Sequence, residues 1–277
     1  MIHNFLPLLK HDIFEGIFHR WRYFLVAVLF FAFTDFVFVN NVSTFFASSD
    51  ENLKCSIADI ILNMFIGNEQ FAPDLKKGIH ISIIWLVFHT LMFSFIGFYI
   101  EDDLKKNATS LIIRVKSRKQ WWTSKAIWCV LTVSIYYALF FAVALVFAAL
   151  FGTISFEANT QIAYEFLNIN VSDVGMFDVI FASFILPMII STSVALFSAM
   201  LSLIMKPVYA FLIVIFYLAA SAFYCSVFLL FNFSMIIRNN FYSVNGVANQ
   251  YGALIAICLM MVSYSIGLIL IRRKDIL

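Results

Sequence analysis

The chain has 277 residues, of which 63% are hydrophobic, 18% aromatic and only 12% charged. Because soluble domains carry about 25% charged residues, this composition excludes an ordinary soluble fold and predicts a chain that crosses a lipid bilayer several times. The net charge of +2 is too small to favour nucleic acid as a partner.

The N-terminal segment and the apolar runs predict an all-α, polytopic membrane protein. The N-terminal segment, about Asn4–Arg20, is too short to cross the bilayer, so we expect an interfacial helix within residues 1–22, with Arg20 and Arg22 at the turn into the membrane. A domain of six transmembrane helices follows over residues 23–277. Since a span needs about 20 mostly apolar residues, the predicted spans are residues 23–42, 79–100, 126–151, 177–205, 207–231 and 251–271.

Lysine and arginine are distributed unevenly between the predicted loops. Fourteen of the 18 lie in the N-terminal segment, the loops after spans two and four, and the C-terminal tail. Because cytoplasmic loops are enriched in Lys and Arg, we expect a multi-pass protein of the cell membrane with both termini in the cytoplasm. On the outer side, residues 59–66 are a candidate helix. Residues 232–250 form either a re-entrant or surface hairpin or an ordinary loop.

The sequence contains no recognisable catalytic motif. It lacks the phosphate-binding pattern GxxxxGK[ST] and the zinc pattern HExxH, and its five histidines show no metal-ligand spacing. We therefore expect no enzyme activity, cofactor or metal in this chain.

The segment between spans two and three, residues 101–119, is the most informative stretch. Its acidic residues come first and its basic residues last, which complements the dipole of a helix. Apolar residues at spacings of four, three and four form one stripe, so we predict a short amphipathic helix beside the membrane. Such a helix either rests on anionic lipid or fills the groove of a protein partner. The predicted contact residues are Glu101, Leu104, Ala108, Leu111, Ile112, Val115 and Arg118.

The residues after this helix are expected at the membrane interface. Trp121 and Trp122 fit an interfacial aromatic belt, and Lys125 is expected to extend its ammonium group toward the headgroups.

An acidic residue leaving span two, the amphipathic helix, Ser117–Arg118, the aromatic pair and Lys125 together resemble the permease of ABC-2-type transporters. The chain end, Arg272–Ile276, is similar to that family as well. One departure is Asn107, where many relatives have Gly. As an architecture, the resemblance covers the whole chain.

The resemblance implies the membrane-spanning permease subunit of an ATP-driven exporter. Such a subunit pairs with a second permease, identical or related, within membrane lipid. It docks on a separate ATPase subunit that carries ATP and Mg, and residues 101–119 would be the coupling helix. By the same analogy the cargo would be amphipathic or hydrophobic, such as an antimicrobial or bacteriocin-like peptide.

Two polar residues within the predicted spans suggest an alternative. Asp35 lies 13 residues past Arg22, about 20 Å along a helix. It either faces a substrate pathway and contacts a cationic substrate, or it has a structural explanation. In that second case span one ends early and the carboxylate is exposed to water, or the carboxylate pairs with another side chain. His89 in span two is either a packing residue or part of the same pathway. The alternative function is an ion-coupled secondary carrier or channel that uses both residues and needs no ATPase.

Overall fold

The computed structural model describes residues 5–47, 53–69, 82–106, 117–171, 174–242 and 246–273. Helices dominate this part of the chain, which contains no β-strand beyond two isolated bridges, Ser56 with Thr153 and Asn239 with Val247. The predicted all-α class is therefore confirmed.

Ten α-helices are described. They are α1 (Phe5–Ile13), α2 (Trp21–Ala47), α3 (Ile57–Phe65), α4 (Ile83–Lys106), α5 (Arg118–Phe151), α6 (Thr160–Leu167), α7 (Met176–Ile180), α8 (Leu186–Leu201), α9 (Pro207–Phe223) and α10 (Asn249–Arg273). A π turn, Phe14–Phe18, extends α1, and a second, Phe181–Ile185, joins α7 to α8. The second π turn lies just before Pro187, whose missing N–H is tolerated at the start of α8.

Five helical segments in the described residues are long and apolar enough to cross a membrane: α2, residues 83–100 of α4, α5, the joined α7–α8 and α10. The chain is therefore a membrane protein. The predicted fifth span differs from the expectation, because α9 ends at Phe223 and not near Phe231 and has only 17 residues. At 1.5 Å per residue it measures about 25 Å, less than the roughly 30 Å of a bilayer core.

Helix α8 is the centre of the bundle. It packs against α10, α5, α4 and α9, and the joined α7–α8 segment is the most enclosed of the candidate spans. Small residues on α8, such as Ser191, Ser193 and Ala195, are fully buried. Small side chains let helix backbones approach closely within a membrane, which explains why this helix is surrounded.

The helix predicted at residues 59–66 is found as α3, and it is buried between α2, α4 and α5. Its start is fixed locally: Ser56 accepts from the Asp59 N–H, and the Asp59 carboxylate accepts from the Ser56 N–H. This reciprocal capping satisfies two orphan donors of the first turn. At the other end of α3, Phe65 packs on Phe88, with ring centroids 5.1 Å apart, and stacks on Tyr137.

Candidate functional site

The most distinctive polar feature is a buried group of charges, here called the charged cluster: His11, Asp12, Asp103 and Lys125. The Lys125 ammonium donates to Asp12 Oδ1 and lies 2.6 Å from Asp103 Oδ2. His11 Nε2 lies 3.4 Å from Asp103 Oδ1. The cluster joins α1 to the end of α4 and the start of α5, although Asp12 and Lys125 are 113 residues apart in the chain.

Neutral groups complete the hydrogen bonding of the two carboxylates. Tyr99 Oη and Ser124 Oγ donate to Asp12 at 2.8 and 2.5 Å, and Trp121 Nε1 donates to Asp103 Oδ2 at 3.2 Å. The Lys125 ammonium also lies 4.6 Å from the centre of the Tyr99 ring. Buried charges are tolerated when they are both paired and hydrogen-bonded, and this cluster meets both conditions.

The close approach of α1 depends on Gly16. A methyl group at this position would overlap the Trp128 indole and lie 3.1 Å from Tyr99 Cζ. Glycine therefore lets the π turn after α1 rest directly on α4 and α5. That contact brings Asp12, one turn earlier on the same face, within reach of Lys125.

The electrostatics of the cluster favour an ionised Asp103. Burial raises the pKa of this carboxyl, but the Lys125 ammonium, His11 and the Trp121 N–H lower it more, so the net pKa lies below the usual value. The ammonium of Lys125 thus supplies the positive charge that two buried carboxylates require.

Ligand geometry alone makes the cluster a candidate metal site. One ligand atom from each of His11, Asp12 and Asp103 lies within 4.8 Å of the others. However, the Lys125 ammonium already bonds both carboxylates, so a cation would enter only if Lys125 left. The arrangement is that of an internal ion pair that holds three helices.

Two further contacts tie neighbouring segments to this end of the bundle. Arg20 Nη2 bonds Asp102 Oδ2 at 2.6 Å, which joins the start of α2 to α4. Arg118 Nη1 donates to the carbonyl of Arg272 at 2.9 Å, which joins the start of α5 to the end of α10. The start of α5 and the end of α10 therefore meet in space.

The predicted docking residues fall mostly outside the described part of the chain. Ala108, Leu111, Ile112 and Val115 lie in residues 107–116, of which the structure gives no description. Glu101 and Leu104 belong to α4, which continues to Lys106, and Arg118 is the first residue of α5.

The expectation for Lys125 is wrong. Lys125 does not reach toward headgroups but is fully buried in the charged cluster. Trp121 and Trp122 are buried as well, and Trp122 Nε1 donates to the Tyr264 carbonyl at 2.9 Å. Packing of α10 and α1 over this face of α5 encloses these side chains within the bundle.

The two predicted pathway residues are both enclosed and lie on different helices. Asp35 on α2 is 1% exposed, and neither carboxyl oxygen has a hydrogen-bond partner. His89 on α4 bonds the Trp85 carbonyl through Nδ1 at 2.9 Å, while its Nε2 has no partner. The His89 ring packs among Phe65, Trp85, Phe88 and Phe231.

The predicted outer hairpin contains short 3₁₀ helices, Leu230–Ser234 and Ile236–Arg238, that are buried in the bundle. Arg238 anchors them, since its guanidinium donates to the carbonyls of Ser221, Ala222 and Tyr224 at the end of α9. It also donates to the carbonyls of Asn68 and Glu69. Burial lowers the pKa of this guanidinium, and the carbonyls compensate the buried charge in place of a carboxylate.

Asp12 and Arg238 were not identified as site residues from the sequence. The sequence signal that Asp12 is buried is weak. Asp12 lies four residues after Leu8 and four before Gly16, so the three residues share one helical face, and that face is buried. For Arg238 the signal is a single base in an outer loop otherwise rich in Asn and aromatic residues.

One comparison with known proteins gives a match. A family model described as "Protein of unknown function (DUF2705)" matches residues 70–277, which include Asp103, Lys125 and Arg238 but neither Asp12 nor Asp35. No curated protein and no solved structure matches the chain. Because the match covers well over half of the sequence, the chain belongs to the DUF2705 family.

Proposed function

We propose that this chain is the membrane-spanning permease subunit of an ATP-driven ABC transporter, with ATP and Mg bound by a separate ATPase subunit. The resemblance to ABC-2 permeases and the bundle of apolar helices support the assignment. The contact with the ATPase is assigned to residues 107–116, together with their flanks on α4 and α5.

The observation that carries the proposal is the ion pair between Asp103 and Lys125. Asp103 lies shortly before residues 107–116 and Lys125 shortly after them, and both side chains are buried. The two ends of the segment are therefore clamped to each other. A displacement of the segment by a partner would move α4 and α5 together, as coupling to a motor subunit requires.

The clamp extends to two further helices. Asp12 adds α1 through Lys125, and Arg118 adds α10 through the Arg272 carbonyl. A force applied at residues 107–116 would therefore reach the bundle through several helices at once. This supports a coupling role over a loose lipid anchor.

Six spans are proposed, with α9 as the fifth. Although α9 is short, its last carbonyls are capped by Arg238, and the following 3₁₀ helices are buried. Irregular backbone is tolerated at membrane depth where protein encloses it. With the Lys and Arg distribution, both termini and residues 107–116 would lie in the cytoplasm.

The permease is proposed to act with a second copy or a related chain and to export an amphipathic or hydrophobic cargo such as a peptide. Exposed apolar residues on α2, α9 and α10 offer surface for lipid and for a second permease. The cargo assignment rests on the resemblance and on the abundance of Phe, Met and Tyr.

An ion-coupled carrier is the second candidate function. It is favoured by Asp35 and His89, each of which has a buried polar atom without a hydrogen-bond partner. Such a carrier would transport without an ATPase.

Co-purification from native membranes tests the leading proposal. The double variant Leu111→Asp, Val115→Asp places charge on the predicted apolar stripe, and we expect the ATPase to be lost while the spans stay folded. The matched control, Thr109→Asp with Ser110→Asp, adds the same charge away from the stripe and should retain the ATPase. Recovery of the wild-type chain without a P-loop ATPase would reject the proposal.

A further inference from the structure

The carboxyl group of Asp35 is enclosed in the middle of α2 without any partner. It lies 14 residues from Trp21 and 12 from Ala47, at the two ends of the helix, which is about 20 Å from either end. Its side chain is buried, and both oxygens lack a hydrogen-bond donor.

The turns on either side of Asp35 are aromatic. Phe31, one turn earlier, packs on Phe88 and Tyr136 with ring centroids 5.5 and 5.1 Å away. Phe38, one turn later, lies 6.3 Å from the Phe166 ring. The adjacent Thr34 hydroxyl donates to the carbonyls of Phe30 and Phe31 and is therefore occupied.

None of the titratable groups described on the helices that pack against α2 is hydrogen-bonded to Asp35. On α5, Tyr136 donates to the Phe88 carbonyl, Tyr137 pairs with Ser191, and Lys125 is held in the charged cluster. Also on α5, Cys129 is buried, and Arg118 and Lys119 lie at the start of the helix. On α4, His89 bonds the Trp85 carbonyl and Tyr99 bonds Asp12. The charged residues from Glu101 to Lys106 lie at the end of α4, where Asp102 and Asp103 pair with Arg20 and Lys125. On α3, Asp59 is held by backbone N–H groups, and Tyr164 and Glu165 on α6 are exposed.

An ionised carboxylate in this place would cost several kcal/mol because no cation or donor compensates it. A metal ion would need several oxygen or nitrogen ligands. In the described part of the chain, the one group of three such side chains is His11, Asp12 and Asp103. A proton is therefore the ligand that fits Asp35.

We propose that Asp35 is a proton-binding site. Its carboxyl group is protonated in this conformation and loses the proton when α2 moves and admits water. On unloading, the carboxyl O–H bond breaks, water accepts the proton, and the carboxylate keeps the electron pair. Proton exchange at Asp35 would then be linked to the conformation of α2. This inference does not depend on the ATP-driven function, because it follows from the surroundings of one side chain.

Infrared spectroscopy of the purified, lipid-reconstituted chain tests the proposal directly. At pH 8 we expect a C=O stretching band of a protonated carboxylic acid that shifts in D₂O and disappears in Asp35→Asn. The band should persist in Asp59→Asn, a matched control at a buried acid outside the spans. Absence of a protonated carboxyl band in the wild type at pH 8 would overturn the proposal.

A second measurement keeps the test decisive if Asp35→Asn does not fold. Titration of the wild-type band follows the same proton without any substitution, and we expect it to survive at pH values where exposed carboxyl groups are ionised. Thermal unfolding of Asp35→Leu adds a further readout. Because the substitution removes an unpartnered polar group, we expect it to raise the unfolding temperature, and a marked fall would contradict an unpartnered Asp35.

Discussion

At the residue scale, Lys125 is the side chain on which the packing of the α4–α5 end depends most. It is fully buried and bonds two carboxylates from two other helices. Its environment could not be predicted from the sequence, because a lysine at the start of an apolar run normally reaches for the headgroups. The partner that changes this, Asp12, is 113 residues away in the chain.

Replacing Lys125 by Met should destabilise the protein strongly. The substitution keeps the approximate size of the side chain but leaves Asp12 and Asp103 buried without a positive charge, a change that costs about 3–5 kcal/mol. Unfolding of the detergent-solubilised protein, followed by Trp fluorescence, measures the loss.

The control for this prediction is Lys119→Met, at an exposed position one and a half turns earlier on α5. Exposed substitutions of this kind change stability by about 0.5 kcal/mol or less. Adding Asp103→Asn to Lys125→Met should recover part of the lost stability, since it removes one uncompensated charge. Equal stabilities of Lys125→Met and the wild type would show that the cluster does not hold the helices.

At the element scale, helices with local start signals were predicted well. Helix α3 was expected at residues 59–66 and is found at Ile57–Phe65, where Ser56 and Asp59 supply the cap from neighbouring positions. Helix α9 was predicted too long because its end depends on distant groups. Arg238 donates to carbonyls 14 to 17 residues earlier in the chain, and Tyr217 bonds the Leu230 N–H.

Asp59 should make the attachment of α3 dependent on pH. Burial raises the pKa of this carboxyl to about 6, although the N–H groups of Ser56 and Asn159 lower it in part. Because the folded pKa exceeds the usual value of 3.8, the contribution to stability is complete below pH 3.8 and is lost as pH rises through 6. The total loss is on the order of 3 kcal/mol.

Hydrogen exchange of the α3 amides, corrected for the intrinsic effect of pH, measures this dependence. We expect stronger protection at pH 4.5 than at pH 7. Asp59→Asn should flatten the difference, whereas Glu157→Gln, at an exposed acid of the neighbouring loop, should preserve it. Identical protection of the wild type at both values would contradict the prediction.

At the scale of the whole molecule, composition was sufficient to predict an all-helical membrane protein. The apolar runs identified every helix now seen as a candidate span. The number of consecutive apolar residues that a span needs can be counted directly in the sequence. The meeting of α1, α4, α5 and α10 at one end was not predictable, since it rests on ion pairs and carbonyl contacts between distant segments.

The charged cluster joins the two helices that flank the proposed docking segment. In the chain, residues 107–116 connect α4 to α5, and a buried ion pair holds these two helices together. If a motor subunit binds there, its movement is transferred to the helices. If nothing but lipid lies there, the clamp only stabilises the fold.

Photo-cross-linking from position 111 in native membranes distinguishes these two situations most directly. With a photoreactive residue in place of Leu111, we predict an adduct with a polypeptide that contains a P-loop, in a yield that changes when ATP is added. The same residue in place of Thr109, off the apolar stripe, should give little of this adduct. Adducts with lipid alone at position 111, with or without ATP, would contradict the account.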